Sequence, residues 1–439
     1  LQVSQVRVKN FRNYQSAELN MLSGRNVLIG ENAQGKTNLL EAIELIANGR
    51  SDRSSSDREL IMRGQSQALV EVSYSSEGIS EVASLIFSAG ERVSRKARLN
   101  GVAQPSSRKI SRLTTVSFKA ADLNLLRGGP KFRRDWLDEL TTKLKGGHFE
   151  LTHRYEKVLQ QRNRLLKQLF EKGRVTASDM DQLKVWDEQI ARLGAVLIKN
   201  RVHVFVALLP LAEGFQAELS GRKEVLNASY VFKQPEHSEQ EEQEDREAGG
   251  DAVAAASAEG IAVSAQEQDN KAPRNRVDAG ELREIGVGRL NEMSEMDLAR
   301  LLLSQLRMRR REEIARKQTL SGPHRDDIAF FLNEFSATAY ASQGQQRSLV
   351  LALKLAELKL VRERLEEAPL LLLDDVLAEL DLGRQGMLMQ LVDADMQTLI
   401  TTTHLDGFRP EWLAGAQVIE IVNGEILSEN AKFRSHSTS

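Results

Sequence analysis

The sequence predicts an α/β fold whose sheet is built from both ends of the chain, with a helical domain inserted between them. Three observations predict it. Val27-Leu28-Ile29 runs into a glycine-rich segment, Gly30 to Thr37, and then into Leu39, Leu40, Ile43 and Ile46 at helical spacing. Some three hundred residues later, Leu370 to Leu373 is a short, wholly apolar run that ends on Asp374 and Asp375. Between the two, His153 to Phe170 and Asp179 to Leu219 place apolar residues at helical intervals with charges between them.

Taken in order, Val3 to Leu28 reads as a β-hairpin followed by a strand, with Val6 and Val8 alternating against Arg7 and Lys9. Residues 68 to 118 alternate apolar and polar, with turns at Glu77-Gly78 and Asn100-Gly101, and read as strands of a mixed sheet. After Gly128-Gly129-Pro130 the pattern turns helical at Trp136, Leu137 and Leu140. The following helices suit a short antiparallel arm, not a long coiled coil. Residues from about 234 to 280 are acidic, then Ala/Gly/Ser-rich, without aromatic residues. They cannot bury enough apolar surface to offset chain entropy and read as a disordered linker, with an acidic interaction segment as the alternative. Met293 to Lys317 is helical again. Ile328 to Leu332 and Ser336 to Tyr340 read as a hairpin turning at Asn333-Glu334. Gln345 to Arg364 is a helix, and Thr398 to Thr402 is a further strand. The expected division is 1–130, 131–305 and 306–439.

Of 439 residues, 41% are hydrophobic, enough for two or three domains with a sizeable core. There is no cysteine, which excludes a disulfide framework and a Cys-based zinc site. No N-terminal apolar stretch resembles a signal peptide, and the apolar run Val202 to Ala212 is too short to span a bilayer. A cytoplasmic protein without a membrane partner is expected. Residues 233–278 carry 5 Lys/Arg against 12 Asp/Glu, so the rest of the chain is +5 where the whole is −2. That balance is compatible with a nucleic-acid partner.

Gly30-Glu31-Asn32-Ala33-Gln34-Gly35-Lys36-Thr37 fits the phosphate-loop pattern, and it lies between a strand and a helix, as a phosphate loop requires. Backbone N–H groups would wrap the phosphates of ATP, Lys36 would reach the β- and γ-phosphates, and Thr37 would offer its hydroxyl to Mg²⁺. Leu370 to Asp375 is a Walker B-type strand. Asp374 would hold Mg²⁺, and Asp375 stands where many related ATPases carry the Glu that orients water. Asp is one methylene shorter, so slow turnover is expected. Ser342-Gln343-Gly344-Gln345 precedes a long helix and lies 32 residues before Asp374. Its hydroxyl, N–H groups and helix terminus suit an anion site that faces the γ-phosphate on a second subunit; a plain helix cap is the other reading. Together these describe an ABC-type ATPase head assembled from N- and C-terminal segments, with an inserted helical arm.

The chain resembles the RecF family of SMC/ABC-type ATPases. The resemblance is carried by Asn10-Phe11-Arg12-Asn13-Tyr14, Gly30 to Thr37, Asp122 to Leu125 with Gly128-Gly129-Pro130, Arg154 to Lys167, Ser321 to Asp327, Tyr340 to Arg347 and Leu371 to Asp381. It implies an ATP-dependent homodimer that binds single-stranded and gapped duplex DNA at junctions. It also implies work with RecO and RecR to help load RecA, and a weak DNA-stimulated ATPase. By this likeness Arg12 joins the nucleotide-contacting residues, as does His404, which occupies the switch position of many ABC ATPases although RecF proteins need not have His there. The family's Ser-Pro-Glu-Asp stretch reads Lys119-Ala120-Ala121-Asp122 here, so no Gln is present to name as a Q-loop ligand.

The densest basic clusters, Arg133-Arg134 and Arg309-Arg310-Arg311, are the DNA-binding candidates. The alternative for the second is pairing with Glu312, Glu313 or acids of the preceding helix, and for the first simple exposure at a helix start. Two other functions remain open. One is an ATP-locked clamp or dimerisation module with marginal hydrolysis. The other is a nuclease-associated SMC-like ATPase, which requires an acidic-cluster domain beyond His404.

Overall fold

The computed structural model describes residues 1–54, 56–105, 110–232, 286–365, 367–377, 380–392, 395–406, 408 and 410–430. The stretch expected to be a disordered linker, about 234–280, lies outside the described residues.

The chain begins with a hairpin, β1 (Gln2–Phe11) and β2 (Tyr14–Asn20), followed by β3 (Arg25–Ile29) and α1 (Lys36–Asn48). Strands β4 (Gln67–Ser76), β5 (Ile79–Ser88), β6 (Ser94–Leu99) and β7 (Val102–Gln104) extend the hairpin into a six-stranded sheet, β2-β1-β4-β5-β6-β7. Glu77-Gly78 and Asn100-Gly101 turn it, all four with positive φ, as two-residue hairpins require. The sheet is antiparallel throughout, not mixed: short turns join its hairpins, and β4 returns antiparallel to β1 after the excursion through β3 and α1. Only β8 (Thr115–Lys119) leaves it.

Helices α2 (Asn124–Arg127), α3 (Pro130–Leu144), α4 (His148–Lys172) and α5 (Ala177–Leu219) follow, then β9 (Leu226–Val231). Beyond the undescribed stretch come α6 (Val287–Glu292), α7 (Glu295–Met308), α8 (Arg310–Arg316), β10 (Asp327–Leu332), β11 (Phe335–Ser336), α9 (Ala337–Tyr340) and α10 (Gln343–Arg364). The chain closes with β12 (Leu370–Asp374), α11 (Leu382–Leu391), β13 (Thr398–Thr402), α12 (Pro410–Leu413), β14 (Gln417–Val422) and β15 (Glu425–Asn430).

The second six-stranded sheet, β15-β14-β3-β13-β12-β8, interleaves both ends of the chain. All its pairings are parallel except the terminal β14–β15 hairpin. It is covered on both faces, which explains why Leu370 to Leu373 has no polar alternation. Leu370 and Leu372 face the core shared with α1 and the antiparallel sheet, whereas Leu371 and Leu373 face the core shared with the helices.

Helix α5 is apolar enough over one stretch to cross a bilayer by composition, beyond the shorter run noted in the sequence. It is instead the spine of the helical lobe and packs against α3, α4, α7 and α10. A three-stranded sheet, β11-β10-β9, joins Leu226–Val231 to residues after 326, so the expected division at 305 falls inside one lobe. The expected second hairpin arm, Ser336 to Tyr340, is two strand residues followed by one helical turn, with Ala337 fully buried.

Candidate nucleotide site

The loop from Gly30 to Gly35 is shaped by close backbone approaches. A Cβ on Gly30 would lie 2.3 Å from the Ile421 carbonyl oxygen. Gly35 has φ 118°, and a Cβ there would meet the Asn13 side chain and the Tyr14 hydroxyl within 2.9 Å. Helix α1 starts at Lys36, so its N-terminal N–H groups and positive dipole end point at the loop. The Lys36 ammonium donates to the carbonyls of Gly30 (2.7 Å) and Glu31 (3.0 Å), which curls the side chain back over the loop.

Two turns grip the loop from outside at Gln34. Its carbonyl accepts from Asn13 Nδ2 and from the Gly424 N–H, both at 2.9 Å. Its side-chain Oε1 accepts from the Asn423 N–H at 2.5 Å. Asn13 Oδ1 in turn accepts from Asn38 Nδ2 at 2.8 Å. The Asn423-Gly424 turn of β14–β15 therefore closes the loop that the β1–β2 turn opens.

Asp374 ends β12 between β8 and β13, at the carboxyl edge where open α/β sheets bind ligands. Its Oδ1 accepts from the Thr37 hydroxyl at 2.9 Å and the Thr401 hydroxyl at 2.8 Å. The two distant halves of the chain thus meet in one hydrogen bond. Asp375 follows with φ 55°, in the left-handed region, and its N–H donates to Thr401 Oγ1 at 2.9 Å. Such a backbone costs about 1–3 kcal/mol and re-aims the side chain away from the strand direction. His404 stands just past β13, exposed, with Nδ1 2.9 Å from Thr403 Oγ1.

Arg12 also has a left-handed backbone, φ 54°. Its guanidinium forks onto buried Glu41 at 2.9 and 2.6 Å and reaches the Glu59 carbonyl at 3.1 Å. Arg12, Asn13, Asn38, Arg53, Arg58 and Arg63 line a cavity of about 590 Å³ beside the loop. That volume lies within the range of small-molecule sites, and four arginines against few acids suit an anion. Arg12 therefore stands beside the loop, with its guanidinium held by Glu41.

Lys119 ends β8 in register with Asp374. Its ammonium bonds Glu44 at 2.7 Å and Asp52 at 3.3 Å. Burial alone would lower its pKa, but Glu44, Asp52 and Glu139 hold it above the ordinary lysine range. An ion pair therefore fills the place in which no Gln ligand was found.

Ser342 and Gly344 lie exposed at the N-terminus of α10, away from the core. Ser342 Oγ accepts from the Gln345 N–H (3.3 Å), and Gln345 Oε1 accepts from the Ser342 N–H (2.8 Å), a capping box. The helix-cap reading of Ser342 holds. Space around Gly344 is open, and Gln345 Nε2 donates to Glu224 at 2.9 Å.

The arginine clusters are a correction. Arg133 is 5% exposed and forks onto Asp327 at 2.7 and 3.0 Å, while Nη1 donates to the Leu125 and Gly128 carbonyls. Arg134 is half-buried and donates to the Asp326 carbonyl at 2.7 Å. Arg309 pairs with Glu312 at 3.0 Å and Arg310 with buried Asp187 at 2.9 Å. Only Arg311 of these five is exposed. Buried acids need counter-ions, and the arginine fork supplies them.

The Ser321 to Asp327 segment is architectural. His324 Nδ1 lies 2.7 Å from the Tyr155 hydroxyl and Nε2 lies 3.1 Å from the Thr319 carbonyl, which fixes a neutral ring with the proton on Nε2. Burial pushes its pKa down to about 4. Tyr230 donates to Asp326 at 2.6 Å, and Arg201 joins Asp138 to the Pro323 carbonyl. Fully buried Arg162 bonds Asp187, Glu313 and Thr319.

Sequence reasoning passed over Thr401, Glu41 and the Asn423-Gly424 turn. The Asn-Gly pair between alternating runs is a hairpin signal that could have located the turn; nothing local marks Thr401 or Glu41.

The family model described as RecF/RecN/SMC N terminal domain matches residues 2–415. The class is that of the SMC-type proteins, in keeping with a head built from both chain ends. Over 428 residues the chain is 36% identical to the DNA replication and repair protein RecF of Microcystis aeruginosa, covering 96% of this chain and 98% of that protein. It is also 36% identical over 424 residues to RecF of Thermosynechococcus vestitus, covering 96% of each. A solved structure described as the recombination mediator protein RecF-ATP in the RecFOR pathway superposes with a TM-score of 0.77 at 26% identity, over 98% of both chains. The corresponding RecF-ATPrS structure gives 0.74 at 27% identity. The chain belongs to the RecF family.

Proposed function

We propose that this chain binds ATP between two copies of itself and uses the closed dimer to hold DNA during replication and repair. The observation that carries the reading is the bond between Thr37 and Asp374, which brings a phosphate-loop hydroxyl and a Walker B-type carboxylate together at one sheet edge. The RecF-ATP neighbour and the replication and repair relatives support it.

The loop N–H groups and Lys36 bind the phosphates, and Arg12 with its neighbours offers positive charge beside them. Thr37 and Asp374 are hard oxygen ligands that suit Mg²⁺. When bound, the ion neutralises charge developing on the phosphates. Asp375 orients the attacking water, and its shorter reach keeps hydrolysis weak. Ser342 and Gly344 of one copy complete the site of the other, with His404 at the γ-phosphate edge. Phe335 and Tyr340, exposed and edge to face at 6.3 Å, stand just before Ser342 and give the second copy apolar surface to cover. By family likeness the DNA is gapped, bound at its single-strand–duplex junction in the cytoplasm, and RecO and RecR act with the dimer to load RecA.

Sedimentation tests this reading. Wild type should shift from monomer to dimer with ATP and not with ADP, and gapped DNA should co-sediment with the dimer. Ser342→Arg should bind ATP normally and remain a monomer. A Ser342→Arg dimer with ATP would overturn the two-copy site.

A further inference from the structure

With four of the five arginines in the expected clusters already engaged in ion pairs or backbone contacts, the positive charge open to a partner lies elsewhere. Helix α4 buries Tyr155, Arg162, Leu165, Leu166 and Leu169 on one side. Arg154, Lys157, Arg164 and Lys167 are exposed on the other, with Gln160, Gln161 and Gln168 among them. Positions 154, 157, 161, 164 and 168 recur at helical intervals and form one stripe. Arg154 to Arg164 spans about 15 Å of helix.

These cations differ from those of the neighbouring arm helix. On α5, Lys184 pairs with Asp181 at 2.9 Å and Arg192 with Glu188 at 3.6 Å. Arg154, Lys157 and Arg164 have no carboxylate partner among the described residues. Lys167 is loosely paired with Glu171 at 3.9 Å. At its head end the stripe stops short of an acidic cavity of about 170 Å³, where Asp135, Asp138, Glu139 and Glu156 outnumber Arg50. A polyanion on the stripe would therefore lie along the arm, from Arg154 outward.

We propose that this face of α4 is a track for the phosphate backbone of duplex DNA, an inference that rests on the DNA-holding function above. Three cations without a carboxylate partner, with amides between them, lie on one helix face over about 15 Å and can neutralise several backbone phosphates without reading bases. Single-stranded DNA is normally held by exposed aromatic rings on which bases stack. Between Arg154 and Lys167 the one aromatic side chain, Tyr155, is buried, so the stripe fits a duplex.

The test uses the full chain carrying Arg154→Gln, Lys157→Gln and Arg164→Gln, with ATP, and a blunt duplex or a single strand over a salt series. Because the three side chains are exposed, thermal midpoint and ATP affinity should match wild type. Duplex affinity should depend less on salt, with the log–log slope smaller by about 2.7, or about 0.9 per lost phosphate contact. Between 50 and 200 mM salt, wild type should then lose about forty times more affinity than the variant. A comparison variant with Arg92, Lys96 and Arg98, exposed on and beside β6, changed to Gln should keep the wild-type slope. An unchanged slope in the α4 variant, an equal drop in both variants, or a loss confined to the single strand would each overturn the track. If wild type itself binds no DNA at low salt, the DNA-holding function fails with it.

Discussion

The nucleotide edge and the Ser321 to Asp327 turn are both dense in motif residues, yet the structure uses them in opposite ways. At the edge, among the described residues, Lys36 bonds two loop carbonyls, Thr37 and Asp374 bond each other and Asp374 bonds Thr401, and Ser342 and Gly344 stand exposed. These contacts can be exchanged for contacts to phosphate. In the turn, His324 is engaged at both ring nitrogens, and Tyr230 and Arg201 are buried and hydrogen-bonded. A distinctive sequence motif therefore marks chemistry only where its polar groups keep capacity for a ligand. Where that capacity is consumed internally, the same density of His, Arg and Asp ties the turn to α3, α4, α5 and β9 of the helical lobe.

The comparison breaks most visibly at Arg162. Arg162→Ala leaves Glu313 buried without its counter-ion and Asp187 with Arg310 alone. It should cost about 3–5 kcal/mol of unfolding free energy in denaturant melts, while the folded fraction binds ATP with wild-type affinity. A weaker ATP site in a protein of unchanged stability would reverse the roles assigned to the two regions.

The next effect is set by pH. His324 has a folded pKa of about 4 against an ordinary 6.5, so the unfolded chain binds the extra proton first. Its contribution is complete above pH 6.5 and is lost as pH falls toward 4, about 3 kcal/mol in all. The His324→Asn variant should lose most of that slope between pH 6.5 and 4 in urea melts. The same slope in both proteins would place the acid sensitivity elsewhere.

Local signals carried much of the fold. The strand–loop–helix at Val27 to Ile46, the Glu77-Gly78 and Asn100-Gly101 turns, the apolar β12 and the long α10 all follow from periodicity or turn chemistry within a few residues. Phosphate-loop residues were readable for the same reason. Counter-ions were not, because Arg133 finds Asp327 194 positions away and Arg310 finds Asp187 123 positions away. A basic cluster looks alike in sequence whether it faces solvent or a buried acid. The stripe on α4 was visible only as part of a family motif until the fold showed which of its cations lack partners. Thr401 and the Asn423-Gly424 turn were hidden similarly, since the parallel sheet alone brings β13 and β14 beside β3.

The most direct test of the division between a chemical edge and an architectural turn is an ATP titration of Lys36→Ala, with thermal unfolding measured on the same sample. Lys36 is buried, yet among the described residues its ammonium bonds only the two loop carbonyls of Gly30 and Glu31. The account predicts a folded protein with a near wild-type melting midpoint, ATP affinity lower by about two orders of magnitude, equivalent to about 2.7 kcal/mol, and no detectable hydrolysis. Wild-type ATP affinity with normal hydrolysis in the folded variant would contradict it.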